Sequence, residues 1–350
     1  MKKNIKFGVL HLHSFKPTII AEAGVNHGCK IELALKYIEI AKKAKADAIK
    51  FQIYKAKKLV SKISPAYWDT NEEKTLSQYK LFKKYDRFNY IDYKKLYIKC
   101  KKEKIIYMST IFDVDAVDEF DSLLKIYKIS SSDINNVPLL RKIGSKNKHT
   151  IISTGASNIK EIKFAIKNLN LPKKKICIMH CVLNYPTEDK NLNLNYIKTL
   201  KKKFPGYVIG YSDHSKSDNE LNIVEKAFDL GAQIIEKHFT HNNRLKGNDH
   251  YHAMNENDLL TFNQKMLRKK IALGKPKKNL LKEKKSINFA RRSIFAKKNI
   301  LKGEIFSEEN LITLRPGTGI KANLWDNLIG KKSKKKILKN QMIKLTDILY

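Results

Sequence analysis

The chain has 350 residues and is 42% hydrophobic, long enough for one large domain plus a small one and too apolar for a disordered chain. No apolar run approaches the ~18 residues of a membrane span, and His11, His13 and Ser14 interrupt the N-terminal stretch that a signal peptide would need, so the cytoplasm is the expected location. The net charge of +37 points first to polyanions, but only seven of the 71 basic residues are arginine, the side chain that recognises phosphate or guanine bidentately, and the lysines are scattered along the chain; this argues against nucleic acid as the main partner and leaves the charge to gather anionic metabolites.

Short apolar runs then alternate with helical patterns. "TIIAEAG" (18–24) precedes a helix over 31–46, where Ala34, Ile38 and Ala41 share a face. "DAIKFQI" (47–53) is followed by a polar insertion over 54–88 and a helix around 89–103. "IIYMST" (105–110), "KIYKISS" (125–131), "HTIISTG" (149–155), "KICIMHC" (175–181), "YVIGYSD" (207–213) and "AQIIEKHF" (232–239) each lead into a further helical pattern, near 113–123, 136–146, 158–168, 195–203, 221–228 and 256–272. Eight strand–helix units in ~270 residues match the size and count of a (β/α)8 barrel of parallel strands. The doubly wound alternative lacks its Gly-rich turn, since "AEAGVNHG" is a poor GxGxxG. Residues 1–273 are thus expected to form an α/β (β/α)8 (TIM) barrel, 274–285 ("GKPKKNLLKEKK") a charged linker, and 286–350 a small, mostly β domain. Cys29, Cys100, Cys177 and Cys181 show no CxxC pairing and read as reduced thiols.

In such a barrel the carboxyl ends of the strands converge on one mouth. Here they end in Glu22, in Lys50 and Gln52, in Ser109 and Thr110, in Lys128, Ser130 and Ser131, in Ser153 and Thr154, in His180 with Asn184 and Tyr185 just beyond, in Ser212, Asp213 and His214, and in Glu236 and His238. Any one of these reads blandly as a strand surfacing into water, and a lone histidine as a hydrogen-bonded structural residue. Eight polar ends around one mouth describe instead a site for an anion carrying phosphate and carboxylate, beside imidazoles and carboxylates that suit a divalent metal.

The segments "IIAEAGVNHG", "IKFQ", "STIFD", "YKISSSD", "ISTGAS", "MHCVLNYPT", "GYSDHS", "EKHFT" and "GNDHYHAM", in that order, resemble the sialic acid synthase family, and "RRSIFAKKNILKGE" with "LRPGTG" resembles its C-terminal antifreeze-like (SAF) domain. The resemblance implies a condensation of phosphoenolpyruvate with an N-acylated hexosamine, N-acetylmannosamine or a relative such as the diacetamido precursors of legionaminate and pseudaminate, giving a nine-carbon 2-keto-3-deoxy acid and phosphate. It implies that Lys50, Thr110, Lys128, Ser131, Ser153 and Ser212 hold phosphoenolpyruvate, that Glu22, Glu236 and Lys50 stand at the reacting atoms, and that Gln52, Tyr185, Asp249 and Arg315 serve the sugar. It implies a divalent metal (Mn2+, Mg2+ or Co2+) on His214 and His238, and a domain-swapped homodimer in which Arg315 reaches the partner's mouth. The chain departs from the family where Leu183 replaces an asparagine, with Asn184 one residue later, and where Ser130 and Ser132 replace glycines. Two rivals remain: a condensation of phosphoenolpyruvate with an aldose phosphate, and a polyanion-binding protein on an inactive barrel.

Overall fold

In the computed structural model, which describes residues 5–247 and 249–349, eight parallel strands close a barrel in the order β8-β1-β2-β3-β4-β5-β6-β7. They are β1 (Thr18–Gly24), β2 (Ala48–Ile53), β3 (Ile106–Ile111), β4 (Ile126–Ile129), β5 (His149–Ser153), β6 (Ile176–Cys181), β7 (Val208–Asp213) and β8 (Ile234–His238). The crossover helices are α1 (Ile31–Lys43), α2 (Tyr90–Glu103), α3 (Val114–Phe120), α4 (Val137–Ser145), α5 (Ile159–Leu169), α6 (Tyr196–Lys203), α7 (Asn222–Asp229) and α8 (Glu256–Leu273). Each begins or ends within a few residues of the span expected from periodicity. Helix starts are set by local chemistry: Asn89 with Asp92, and Asn158 with Glu161, form capping boxes that satisfy the free amides of α2 and α5.

Side-chain alternation along the strands divides the barrel into layers. Ile19, Ala21 and Ala23 of β1 face the helices, with Ile49, Phe51, Ile152 and Ile178 from other strands. The intervening residues face the interior. Its lower layer is apolar, built from Ile20, Ala48, Met108, Ile126, Ile151, Cys177 and Ile234. Two residues further along the same strands the interior turns polar, with Glu22, Lys50, Thr110, Lys128, Ser153 and Glu236. Gly210 of β7 lies level with Ile234 of the lower layer, where a Cβ would lie 2.6 Å from the Ile234 carbonyl oxygen and 2.8 Å from Met179, so the barrel closes at this point only around a residue without a side chain.

An N-terminal hairpin, Ile5–Phe7 paired with Leu10–Leu12, was not foreseen from the sequence. Phe7 and Leu10 are fully buried against the lower layer and floor the barrel. Asp47, just before β2, anchors the chain that follows the hairpin: it accepts from the Ile19 amide at 2.9 Å and pairs with His13 Nε2 at 3.0 Å and Lys16 Nζ at 3.3 Å.

The chain divides into two compact units after Leu273. In the second, β9 (Ser293–Ala296) pairs antiparallel with β10 (Leu311–Leu314), and β11 (Lys332–Ser333) with β12 (Ile348–Leu349), around a core of Ile294, Ile300, Phe306, Leu311, Ile337 and Ile343. The segment expected to be a linker is in part helical. A helix over Lys284–Ala290 straddles position 286, because this run contains no Gly or Pro to stop it and charge alone does not end a helix. The described cysteines are all free thiols.

Candidate active site

The polar upper layer opens into a cavity of about 450 Å³, within the range of small-molecule sites. Glu22, Lys50, Gln52, Thr110, Lys128, Ser131, Ser153, Tyr185, Ser212, His214, Glu236, His238 and Asp249 all line it. Arg315, expected on the sugar side, belongs to the second unit, where it is exposed directly after β10.

Register explains the convergence. Glu22 pairs with both Lys50 and His238, Gln52 with Thr110, Thr110 with Lys128, and Ser212 with Glu236, so the strands meet side by side at the depth where their inward residues become ionisable. Two ammonium groups and two carboxylates share the floor, each almost fully buried. Lys50 Nζ lies 3.1 Å from Glu22 Oε2 and 3.4 Å from Glu236 Oε1, and donates to Thr110 Oγ1 at 2.7 Å. Lys128 Nζ lies 3.4 Å from Glu236 Oε1 and donates to Ser153 Oγ at 2.8 Å. Ser212 Oγ donates to Glu236 at 3.3 Å, and Gln52 Nε2 to Glu22 Oε1 at 2.9 Å.

Burial and neighbours shift these groups differently. For Lys50, burial works against the charge, but Glu22 and Glu236 outweigh it and raise its pKa. For Lys128, burial prevails over Glu236, with Lys50 repelling it, and its pKa falls. Burial, helped by Glu236, raises the carboxyl of Glu22 against the pull of Lys50. Glu236 is held low because Lys128 and Lys50 overcome its burial. Glu22 Oε2 and Glu236 Oε2 are buried without a hydrogen bond; Glu22 Oε2 is within ion-pair reach of Lys50 but not in hydrogen-bond geometry. A floor of this kind is set for a ligand that brings its own charge and donors.

One wall carries imidazoles. The His214 ring lies 4.1 Å from the Tyr185 ring and 5.5 Å from that of His238, centroid to centroid. His214 Nδ1 lies 2.8 Å from the Val182 carbonyl oxygen, which requires the proton on Nδ1 and leaves Nε2 to face a ligand. Burial works against charge on the ring, but Cys181 and this carbonyl outweigh it and raise its pKa, so a cation at Nε2 competes with a proton there. His238 Nδ1 faces the Asp249 carboxylate at 3.4 Å, and His252 Nε2 reaches the same carboxylate at 3.9 Å. One donor atom from each of His238, Asp249 and His252 lies within 4.8 Å of the others. His238 Nδ1 and both ring nitrogens of His252 are buried without a hydrogen bond. Burial, followed by repulsion from His252 and His214 for His238 and from His214 and Lys237 for His252, holds both imidazoles neutral, well below the usual histidine pKa. Burial, with Glu22 nearby, raises Asp249 to about 7. Orphaned neutral imidazoles beside a carboxylate fit a divalent cation, with His214 and His238 as its expected holders. His252 escaped the sequence reading, although the spacing Asp249-x-x-His252 inside "GNDHYHAM" was a signal for it.

An aromatic part of the lining comes from the 54–88 insertion, which contributes Tyr54, Tyr67, Trp68 and Phe82, and from Tyr251, which packs on His252. Tyr67 packs 5.5 Å from Trp68 and 6.3 Å from Tyr185 between ring centroids. At the two departures from the family pattern, Leu183 and both Ser130 and Ser132 face the cavity. Asn184 is exposed and outside the lining, its Oδ1 accepting from the Tyr185 amide.

Other polar strand ends have structural duties. His180 Nε2 meets the Leu192 carbonyl at 2.8 Å, Thr154 donates to Met179, Ser109 to Tyr107, and His27 stacks on Phe88. Asp213 and Lys237 point away from the cavity and form a buried pair at 2.7 Å behind it. A second depression beside β5 and β6, about 550 Å³, has neither an ammonium nor a carboxylate in its lining.

The profile of the NeuB family matches residues 37–278 and that of the SAF domain residues 291–349. An N,N'-diacetyllegionaminic acid synthase of Campylobacter jejuni is 39% identical over 339 residues, covering 94% of this chain and 99% of that one. The crystal structure of an N-acetylneuraminic acid (sialic acid) synthetase from Leptospira borgpetersenii superposes with a TM-score of 0.66 at 33% identity, covering 81% of this chain and 94% of that one. That of the spore coat polysaccharide biosynthesis protein SpsE from Bacillus subtilis gives 0.63 at 31% identity over 99% of each. The chain therefore belongs to the NeuB family, carrying the family's closed eight-stranded barrel and a C-terminal SAF domain.

Proposed function

We propose that this chain joins phosphoenolpyruvate to an N-acylated hexosamine, N-acetylmannosamine or a related sugar, to give a nine-carbon 2-keto-3-deoxy acid and phosphate. The observation that carries this reading is the buried floor of Lys50, Lys128, Glu22 and Glu236 beneath a wall of imidazoles and a wall of aromatic rings. The two ammonium groups, with Thr110, Ser131, Ser153 and Ser212, receive the phosphate and carboxylate of the enol. Enol C3 then forms a bond to the sugar aldehyde carbon, whose oxygen takes up a proton. Water adds to the electron-poor C2, and the C2–O bond breaks to release phosphate. Glu22 and Glu236 face that centre: either carboxylate stabilises positive charge at C2, and one of them takes the proton of the incoming water. A divalent cation held by His214 and His238 (Mn2+, Mg2+ or Co2+) supplies a Lewis acid for the aldehyde oxygen. Gln52, Tyr185 and Asp249 stand on the sugar side.

Within the same chemistry, a diacetamido hexose is a second reading. The aromatic surface of Tyr67, Trp68, Tyr185 and Tyr251 offers apolar cover for additional acyl or deoxy methyl groups, and the 39% identical relative is named as a legionaminic acid synthase. The reading extends to a homodimer in which Arg315 of one subunit meets the sugar bound by the other; the exposure of Arg315, a cationic donor free to meet a ligand, supports this arrangement. It also places the enzyme in the cytoplasm. No helix among the described residues is long and apolar enough to cross a membrane.

The test is phosphate release by the purified chain from phosphoenolpyruvate and Mn2+ with a panel of mono- and diacetamido hexoses and aldose phosphates. Release that requires an acylated hexosamine and stops with EDTA is expected. Turnover of an aldose phosphate alone overturns the assignment.

A further inference from the structure

We infer that His252 is a third imidazole ligand for the divalent cation, so that the cation is held by His238, Asp249 and His252 on one side and met by His214 on the other. The inference rests on the metal-dependent reading above and adds to it a residue that the cavity lining does not reveal, since His252 sits wholly buried behind His238 and Asp249.

Three observations converge. First, His252 has no hydrogen-bond partner at either ring nitrogen, although its side chain is 0% exposed. A buried imidazole with two idle polar atoms is costly unless something else engages one of them. Second, what surrounds it is a ligand set: its ring centroid is 5.0 Å from that of His238, its Nε2 is 3.9 Å from Asp249 Oδ1, and one donor atom from each of the three residues falls within 4.8 Å of the others. Donors at ~2.0–2.2 Å from one cation stand roughly 3–4 Å apart, so a small adjustment of the side chains closes the set. Third, His238 Nδ1 is also idle and turned toward the same carboxylate, so the unused atoms of two residues point into one space. Position reinforces this. Main-chain bonds from Thr240 to Met254 and from Met254 to His238 tie the loop carrying Asp249 and His252 back onto the tip of β8. Tyr185 packs edge-on at 5.7 Å and Tyr251 at 4.8 Å, fixing the ring plane.

The chemical consequence is a preference among cations. Two histidines and waters discriminate weakly between Mg2+ and transition metals. Three imidazoles and one carboxylate favour borderline ions such as Co2+ or Zn2+ over Mg2+.

The experiment is calorimetric titration of the full-length, EDTA-stripped chain with Co2+ and with Mg2+, paired with the visible absorption spectrum of bound Co2+. His252→Ala and the bulkier His252→Gln are compared with wild type and with His214→Ala, folding being checked by circular dichroism. We expect one Co2+ per chain, an affinity loss of at least ~10-fold in either His252 variant, an altered Co2+ spectrum, and Mg2+ affinity nearly unchanged. A folded His252 variant that binds Co2+ with wild-type affinity and spectrum overturns the inference. If His214→Ala loses Co2+ while both His252 variants keep it, the metal-dependent reading stands and the third ligand falls. If wild type itself takes up no Co2+, both fall together.

Discussion

Lys50 and Lys128 occupy one cavity with opposite electrostatic fates. Lys50 stands between two carboxylates and holds its proton firmly. Lys128 has one carboxylate neighbour, a second ammonium nearby and the full burden of burial. An incoming phosphate therefore has most to offer Lys128, and Lys128→Ala is expected to raise the KM for phosphoenolpyruvate by roughly 10–100-fold, the equivalent of one charge-assisted hydrogen bond, with the sugar KM little changed. Steady-state kinetics with each substrate varied in turn checks this. Glu22→Gln keeps the shape of the side chain beside Gln52 but removes its charge, and is expected to cut kcat by roughly 100-fold or more without unfolding the chain, measured as phosphate release at saturating substrates; a loss under twofold removes Glu22 from the chemistry. These residues were legible in the sequence because a strand's period of two forces its last inward side chains into the mouth. His252 was not, because it sits in the loop after β8, where no periodicity reports which way a side chain faces.

At the scale of elements, the strands and helices were readable almost to the residue, and the 54–88 insertion was readable only as a polar interruption. Its short helices, Ala56–Leu59 and Gln78–Lys84, are too brief to declare themselves, and its aromatic residues take their meaning from a cavity formed by distant strands. Trp68→Ala is expected to raise the KM for the acylated sugar by about 10-fold, in line with a lost aromatic contact of ~1–2 kcal/mol, while the KM for phosphoenolpyruvate stays within about twofold. Asp47 at the barrel's base offers a test of stability. Burial alone would raise its pKa, but His13, Lys16 and the Ile19 amide outweigh burial and hold it below the ordinary carboxylate value. A depressed folded-state pKa contributes stability that is fully present above the unfolded value, ~3.9, and is lost as pH falls through the folded one. Asp47→Asn is therefore expected to lower stability at pH 7 by about 1–3 kcal/mol, with the gap to wild type closing as urea denaturation is repeated below pH 4.

For the whole molecule, the two units were legible as a change of style, from strand–helix alternation to short β runs separated by Gly-containing turns. The helix across 284–290 blurred the boundary because a lysine-rich run looks the same whether extended or coiled. Arg315, exposed in the second unit, makes assembly testable. Glu22→Gln and Arg315→Ala chains, each inactive alone, are expected to regain part of the wild-type rate when mixed and allowed to exchange subunits, as random pairing restores one complete site per mixed dimer. No recovery after verified exchange sinks the swapped arrangement.

The hairpin that seals the base with Phe7 and Leu10 has a consequence for traffic. A tube stoppered at one end has a single door, and the ammonium groups proposed to receive the enol phosphate stand deep inside it, beyond the rings near which the sugar would rest. Whichever guest goes deepest must arrive before the other blocks the way, so turnover should follow a compulsory order with phosphoenolpyruvate leading. The sugar product, leaving past the same rings, should then hold back the freed phosphate behind it.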